Sequence, residues 1–170
     1  MRWRGGSDFG ARANGRSRHH PAGGARSGDA AGNRGRQGQS FYPFGAVIIG
    51  AADHTVLAQG VNSGKTNPIL HGEIVAINDY AARHGNQGWA DGILYTTGEP
   101  CPMCMGAIVW AGIGGVVYGS SITILAEAGI AQIMVGASAV REAAPFYRRQ
   151  IIGGILRAET DALFRNRQRG

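Results

Sequence analysis

Short apolar runs alternate with stretches of helical spacing over residues 41–170. Apolar runs bounded by Gly, Asp or Asn are typical of strands, and apolar positions three and four apart are typical of helices. The predicted strands, of which the first two form a hairpin, are 45–50, 55–61, 93–96, 115–118 and 150–152. The predicted helices are 73–83, 101–111, 122–128, 137–144 and 156–167. This alternation favours an α/β fold in which a sheet that contains parallel strands packs against helices.

The first predicted helix carries its apolar side chains along one stripe. Ile74, Ile77 and Ala81 are spaced to share one face, with Val75 and Ala82 beside them. This spacing, followed by Gly85 as a stop, predicts a helix over residues 73–83.

Residues 1–40 differ from the rest of the chain in composition. They contain ten Gly and no Val, Ile or Leu, and their only large apolar side chains are Met1, Trp3 and Phe9. Such a segment can bury too little apolar surface to offset the conformational entropy that the chain would lose on folding. We therefore predict that residues 1–40 are disordered and that residues 41–170 form the folded domain.

The excess positive charge lies in the same leading segment. Residues 1–40 hold eight Arg against two Asp, a net charge of +6, which equals the net charge of all 170 residues. Residues 148–170 carry a net +4, and residues 41–147 a net −4. The leading segment is either a basic arm that gathers nucleic acid or an extension without function. We favour the second interpretation, because the support for the first is only compositional. The acidic main body repels polyanions.

The length of the chain and its 44% hydrophobic content suffice for one domain with a buried core. Two cysteines three positions apart cannot form a disulfide framework, and they indicate a reducing compartment or a metal. We find no apolar run near the roughly 20 residues that a membrane span needs. The first residues also lack the apolar stretch of a secretory signal. We therefore expect a soluble, cytoplasmic protein without membrane contact.

Two short motifs carry the candidate chemistry, one around His71 and Glu73 and one around Cys101 and Cys104. The cysteines lie three apart at a predicted helix start, so both sulfurs can face one point as thiolates. With His71 they form a His/Cys/Cys set that leaves one tetrahedral position open, as in catalytic zinc sites. Zinc activates water at neutral pH, and Glu73 can then move protons to a departing amine. Zinc deaminases use this set of residues.

Other interpretations of the two cysteines fit less well. A redox dithiol needs no His-x-Glu motif upstream, and a structural zinc site needs a second ligand pair, which the sequence lacks. His54 and His84 are predicted surface residues rather than ligands. Trp89 and Trp110 are predicted core or interface residues rather than platforms for base stacking.

Several motifs together resemble the cytidine/deoxycytidylate deaminase superfamily, in particular its branch of guanine, cytosine and tRNA adenosine deaminases. The resemblance covers about residues 43–120, with FGAV at 44–47, HGE at 71–73, LYTT at 94–97, EPCPMC at 99–104 and GAI at 106–108. Weaker support comes from EAG at 127–129, PFY at 145–147 and the last helix. It implies a three-layer α/β/α cytidine-deaminase-like fold around a five-stranded mixed sheet. It also implies a homodimer with the active site near the interface.

The resemblance further implies the roles of individual residues. His71, Cys101 and Cys104 would hold Zn²⁺ as the cofactor, and Glu73 would be the catalytic proton shuttle. The candidate substrate-binding residues are Asn62 after the second strand, Gly72 through its backbone N–H, Phe44 in the pocket wall, and Glu127 and Phe146 further along the chain.

The sequence departs from the family in two places. Family members carry an amphipathic helix just before the FGAV segment, whereas residues 31–40 here are Gly-rich. We therefore hypothesise that the present N-terminal sequence does not represent the natural one. Guanine deaminases similar to this chain place an acid three residues before the EAG segment, to read the amino group of the purine. This sequence has Ile124 there, which makes Glu127 the candidate substitute.

These observations predict a hydrolytic deaminase of a free nucleobase or nucleoside, of the guanine or cytosine type, that releases ammonia. The acidic main body favours a small neutral substrate. The alternative is tRNA adenosine deamination at the wobble position, with Arg157, Arg165, Arg167 and Arg169 binding phosphates. A non-enzymatic alternative is a Gly/Arg-rich nucleic-acid-binding module with a structural zinc, which leaves Glu73 without a role.

Overall fold

The structure of the chain is a computed structural model that describes residues 42–167. The predictions made for residues 1–40 lie outside this described part of the chain. Among the described residues, none of the helices has the length and apolar character that a bilayer-spanning helix requires. The same residues form a five-stranded sheet and the helices that pack against it.

Five strands form a mixed sheet in the spatial order β2-β1-β3-β4-β5. They are β1 (Gly45–Gly50), β2 (Val56–Val61), β3 (Gly92–Gly98), β4 (Gly115–Ser120) and β5 (Gln150–Gly153). β1 is antiparallel to both of its neighbours, β2 and β3, whereas β3, β4 and β5 run parallel. The predicted hairpin and the predicted strands are confirmed, with β3 and β4 longer than expected.

The helices lie where the sequence pattern predicts them. They are α1 (Gly72–His84), α2 (Pro102–Ala111), α3 (Ile122–Glu127), α4 (Ala137–Glu142) and α5 (Arg157–Arg165). α1 ends at Gly85 with φ 66°, and α2 ends at Gly112 with φ 74°, a backbone conformation that glycine adopts without strain. A short 3-10 turn at Trp89–Asp91 has no counterpart in the predicted elements.

Helices cover both faces of the sheet. The main core, between the sheet and the side that carries α1 and α2, includes Ala46, Ile48, Leu94, Val116, Ala76, Tyr80, Met105 and Ile108. α5 packs against Gly119, which lies three positions from Val116 and so on the opposite face of β4. A Cβ on Gly119 would come within 2.5 Å of the Thr160 side chain, so this close approach requires glycine. The three-layer α/β/α architecture is therefore confirmed.

The most buried face of α1 lies beside its apolar stripe. Its buried side chains include Glu73, Ala76 and Tyr80, whose spacing of three and four places them on one side of the helix. In the apolar stripe, Ile74, Val75 and Ile77 are partly buried, and Ala81 and Ala82 are exposed. The most buried face carries a carboxyl group, a small residue and a phenol, so hydropathy alone does not mark it. The Tyr80 hydroxyl donates to the Gln87 carbonyl at 3.0 Å.

Candidate active site

The starts of α1 and α2 come together close to the carboxyl end of β3. His71 immediately precedes α1, Cys101 immediately precedes α2, and both have extended backbone conformations. Cys104 lies in the first turn of α2. Pro102 occupies the first helical position, where its missing N–H removes no helical hydrogen bond. The two helix starts therefore bring the imidazole to the two sulfurs.

His71, Cys101 and Cys104 form a cluster that fits a zinc ion. Their ligand atoms all lie within 4.8 Å of one another. The Nδ1 atom of His71 is 3.6 Å from Sγ of Cys101 and 3.6 Å from Sγ of Cys104. Zn–S bonds of about 2.3 Å and Zn–N bonds of about 2.0–2.1 Å at tetrahedral angles place nitrogen and sulfur about 3.6 Å apart. The donor set and its spacing thus match a tetrahedral zinc site with one open position.

The cluster stabilises a thiolate. A hydrogen bond from the Cys104 thiol lowers the pKa of Cys101 to about 4, and the His71 ring acts in the same direction, against the opposing effect of burial. The pKa of Cys104 is raised because its thiol donates to Cys101 and is itself buried. The pKa of His71 is also raised, chiefly by its hydrogen bond with Cys101. Since thiolates are the form that binds metal, one sulfur is ready to bind at neutral pH.

Glu73 lies beside this cluster as a buried carboxyl group. Its side chain is 3% exposed, and the Thr96 hydroxyl donates a hydrogen bond to its Oε1 at 3.0 Å. Burial raises the pKa of Glu73, while hydrogen bonds from its own backbone and from Thr96 oppose this effect. A carboxyl group in this setting can accept and release a proton. Thr96 was not identified from the sequence as a site residue, although it belongs to the LYTT segment of the resemblance.

A cavity of about 650 Å³ opens onto the cluster. Its lining includes His71, Glu73 and Cys101 together with two predicted substrate-binding residues, Phe44 and Asn62. Sites for small molecules typically have volumes of about 300–1,000 Å³. The cavity is therefore large enough for a nucleobase or nucleoside beside the metal ligands.

Phe44 and Asn62 line the cavity, and Gly72 lies next to the Phe44 backbone. The Asn62 backbone N–H donates to the Phe44 carbonyl at 2.9 Å, and the Asn62 side-chain oxygen accepts from the Gly64 N–H at 2.8 Å. Gly72 is buried, and a Cβ there would lie 3.1 Å from the Phe44 carbonyl oxygen. The structure thus gathers these predicted substrate-binding residues next to the metal-binding cluster.

Two further predicted substrate-binding residues lie elsewhere in the described chain. Glu127 is the exposed last residue of α3 and does not line the cavity. The chain turns at Gly129 with φ 82°, and it is the following residues that line the cavity. Phe146 is 65% exposed, and its ring centroid lies 5.4 Å from that of Trp110. The structure does not bring Glu127 and Phe146 to the site, and their role in substrate binding stays a prediction.

The other histidines and tryptophans of residues 42–167 do not line the cavity. His54 and His84 are exposed, in agreement with their predicted place at the surface. Trp89 packs against the main core, and Trp110 is 82% exposed on α2. In this part of the chain, tryptophan therefore provides no stacking platform inside the cavity.

Glu99 is a second site residue that was not identified individually from the sequence. Its Oε2 accepts the Ile122 N–H at 2.9 Å, and its Oε1 accepts the Ala137 N–H at 2.8 Å. Ile122 and Ala137 are the first residues of α3 and α4, so one carboxylate satisfies a free backbone donor at the start of each helix. Glu99 also lines the cavity. It therefore fixes two short helices relative to the segment that leads into α2.

We expect Glu99→Gln to lower the free energy of unfolding by about 1–3 kcal/mol. Glutamine has one oxygen, so one of the two backbone N–H groups would lose its acceptor and face the NH₂ group instead. Urea unfolding followed by circular dichroism measures this change. The matched control is Glu142→Gln on α4, where the side chain is 68% exposed and the loss of charge should matter little. Equal unfolding midpoints for the two variants would contradict the capping role of Glu99.

The chain is similar to several curated deaminases. It is 45% identical over 89 residues to a guanine deaminase of Bacillus subtilis, which covers 51% of this chain and 56% of that protein. It is 42% identical over 85 residues to a cytosine deaminase of Candida albicans, which covers 49% of this chain and 55% of that protein. A tRNA-specific adenosine deaminase of Streptococcus pyogenes is 41% identical over 81 residues, 46% of this chain and 50% of that protein. The chain thus spans about half the length of these curated relatives.

Solved structures of deaminases share the fold. A guanine deaminase of Nitrosomonas europaea matches with a TM-score of 0.64 over 72% of this chain and 70% of that chain, at 22% identity. A structure of a tRNA:A34 deaminase matches with a TM-score of 0.56 over 71% of this chain and 83% of that chain, at 26% identity. The sequence profile of the cytidine and deoxycytidylate deaminase zinc-binding region matches residues 29–120. With the metal-binding cluster and the mixed sheet in place, the chain belongs to the cytidine and deoxycytidylate deaminase family.

Proposed function

We propose that this protein is a zinc-dependent hydrolytic deaminase that removes the amino group of a free nucleobase or nucleoside, of the guanine or cytosine type, as ammonia. The proposal rests above all on the buried Glu73 carboxyl group beside the cluster of His71, Cys101 and Cys104 at a cavity of about 650 Å³. The similarity to a guanine deaminase and a cytosine deaminase supports it.

Glu73 is the residue that moves protons in this proposal. Zinc held by His71, Cys101 and Cys104 supplies the activation of water at neutral pH. Water adds across the ring C=N bond, with its oxygen on the carbon that bears the amino group and one of its protons on the ring nitrogen, and Glu73 carries its other proton to the amino group. The C–N bond then breaks, ammonia leaves, and the ring carbon becomes a carbonyl. Thr96 holds the Glu73 carboxyl group in one orientation through its hydrogen bond of 3.0 Å.

Phe44, Asn62 and Gly72 orient the base in this proposal. The Phe44 ring lies at the cavity and provides an apolar surface for the base. Because the Asn62 side-chain oxygen already accepts from the Gly64 N–H, the NH₂ group of Asn62 is the part left to donate to the substrate. The Gly72 N–H, between His71 and Glu73 in the chain, is the second donor to the ring edge.

Ammonia release by the zinc-loaded protein tests the proposal directly. The substrates are cytosine, guanine, adenine, their nucleosides and a tRNA anticodon stem-loop. Release from one free base or its nucleoside supports the proposal and identifies the ring system. Release from none of them, with zinc still bound, would contradict it and favour a binding module with a structural zinc.

The alternative substrate is adenosine at the tRNA wobble position, which the similarity to a tRNA-specific adenosine deaminase supports. Two of the arginines predicted to bind phosphate are engaged within the chain, however. Arg157 lies 3.4 Å from Asp161, and Arg167 donates to backbone carbonyls. This alternative predicts activity on the stem-loop alone and binding that falls steeply with salt. Salt-insensitive release from a free base would contradict it.

We also propose that two copies of the chain pair through the outer face of α2. Trp110 is 82% exposed there and contacts Phe146, and Met103 lies seven positions earlier on the same face. Exposed aromatic residues and Met are enriched in protein interfaces.

We expect light scattering to give the mass of two chains for the wild type and of one chain for Trp110→Glu. Val56→Glu, at an exposed position of β2, should keep the larger mass. A wild-type mass of one chain would contradict this pairing.

A further inference from the structure

A second, smaller core supports one side of the cavity. Leu125, Ala128, Ile130 and Phe164 are buried together, and Phe44 packs against them. The ring centroids of Phe44 and Phe164 are 4.8 Å apart. Phe44 and Ile130 also line the cavity. Residues from the end of α3 and from α5 therefore support a part of the cavity that the main core, with α1 and α2, does not reach.

Arg167, just beyond the end of α5, connects the two parts of this smaller core. Its Nη1 donates to the Ala128 carbonyl at 2.7 Å and to the Phe164 carbonyl at 3.3 Å, and its Nη2 donates to the Gly129 carbonyl at 3.1 Å. Ala128 and Gly129 begin the wall segment, residues 128–132, whose last three residues line the cavity. The planar guanidinium presents its donors in a rigid fork, so that its two terminal nitrogens hold two successive carbonyls at once, whereas an ammonium group is a single nitrogen on a flexible stem.

α5 gives Arg167 a fixed base on the sheet. Asp161 of α5 is 7% exposed, and its carboxylate accepts a hydrogen bond of 2.6 Å from the Ser120 hydroxyl at the end of β4. The same Ser120 oxygen lies 3.0 Å from the Thr160 hydroxyl, and Arg157 lies 3.4 Å from the Asp161 carboxylate. The position of the wall segment is thus tied through α5 to the carboxyl end of β4.

We propose that Arg167 is a positioning residue for the substrate, because its guanidinium holds the wall segment in place against the bound base. This proposal rests on the proposed deaminase function. Arg167 does not itself line the cavity, and it makes no described contact with Glu73 or the metal-binding cluster. Its effect should therefore fall on the binding of the base and not on proton transfer. An arginine that merely capped α3 would change stability and leave substrate binding as it is.

The kinetic test compares Arg167→Met and Arg167→Lys with Arg149→Met, which removes an exposed guanidinium outside the wall segment. For Arg167→Met we expect KM for the deaminated base to rise about tenfold, with kcat within about twofold of the wild type, because the wall segment loses the hydrogen bonds that hold it while the reacting groups are kept. Zinc content should not change. Arg167→Lys should recover part of KM, since an ammonium group still reaches one carbonyl. Arg149→Met should match the wild type.

Hydrogen exchange of the wall segment gives a readout that needs no activity. The Gly129 N–H donates to the Ala126 carbonyl at 2.8 Å, and the Ile130 N–H donates to the Leu125 carbonyl at 3.0 Å. We expect both amides to exchange about tenfold faster in Arg167→Met. Unchanged exchange would overturn the proposal, and so would faster exchange with an unchanged KM. If the wild type releases ammonia from no base, the proposed function fails, and the exchange of the two amides decides whether Arg167 holds the wall segment.

Discussion

In Glu73→Gln, we expect ammonia release to fall by about 10²–10⁴-fold, the contribution of a positioned acid–base group. Glutamine keeps the shape of the side chain, and its oxygen can still accept the Thr96 hydrogen bond. It cannot, however, take a proton from water and pass it to the departing amine. Zinc should stay bound, because the atoms that fit it belong to His71, Cys101 and Cys104. Ammonia release and zinc content, measured on the same preparation, separate the two effects.

The matched control for this variant is Glu159→Gln. Glu159 is an exposed carboxyl group in the first turn of α5, so its loss should leave turnover and zinc content at wild-type values. Loss of zinc from Glu73→Gln would make Glu73 a metal ligand and would refute its role as proton carrier. Full turnover in Glu73→Gln would refute that role as well.

Local sequence patterns predict the elements of this fold but not every contact between them. β1 and β2 are predictable because polar residues and glycine bound their apolar runs, and α2 because a proline-containing helix start follows β3. The buried face of α1 is not predictable in this way. Glu73 and Tyr80 are buried through hydrogen bonds to Thr96 and Gln87, and these bonds depend on the folded chain rather than on apolar spacing.

The same distinction applies to the candidate site. The spacing of Cys101 and Cys104 at a helix start identifies two donors locally, and the His-x-Glu motif thirty positions before Cys101 adds His71. The supporting residues act over longer distances along the chain. Thr96, Glu99 and Arg167 bond to partners 23, 38 and 39 positions away. No periodicity links such positions, so their contribution to the cavity becomes visible only once the sheet and α5 are in place.

We expect His71→Ala to weaken zinc binding by more than about 100-fold, because changes even to residues behind the ligands cost about 10–100-fold in metal affinity. The substitution removes the nitrogen that lies 3.6 Å from each sulfur of Cys101 and Cys104. Bound zinc also stabilises the folded chain, by about 2.7 kcal/mol at a free concentration of about 100 times Kd. The variant should therefore lose turnover and unfold at a lower urea concentration than the zinc-loaded wild type. Elemental analysis and urea unfolding measure both changes.

A chelator distinguishes the loss of metal from a packing defect in this variant. Removal of zinc should lower the stability of the wild type toward that of His71→Ala, whereas the same chelator should leave His71→Ala unchanged. His84→Ala is the matched control, because His84 is exposed and its ring lies 3.2 Å from the Leu57 carbonyl, with no part in the cavity. It should keep zinc and turnover. Full zinc content in His71→Ala would mean that the metal is held without this imidazole, and the spacing of 3.6 Å to Cys101 and Cys104 would then reflect packing alone.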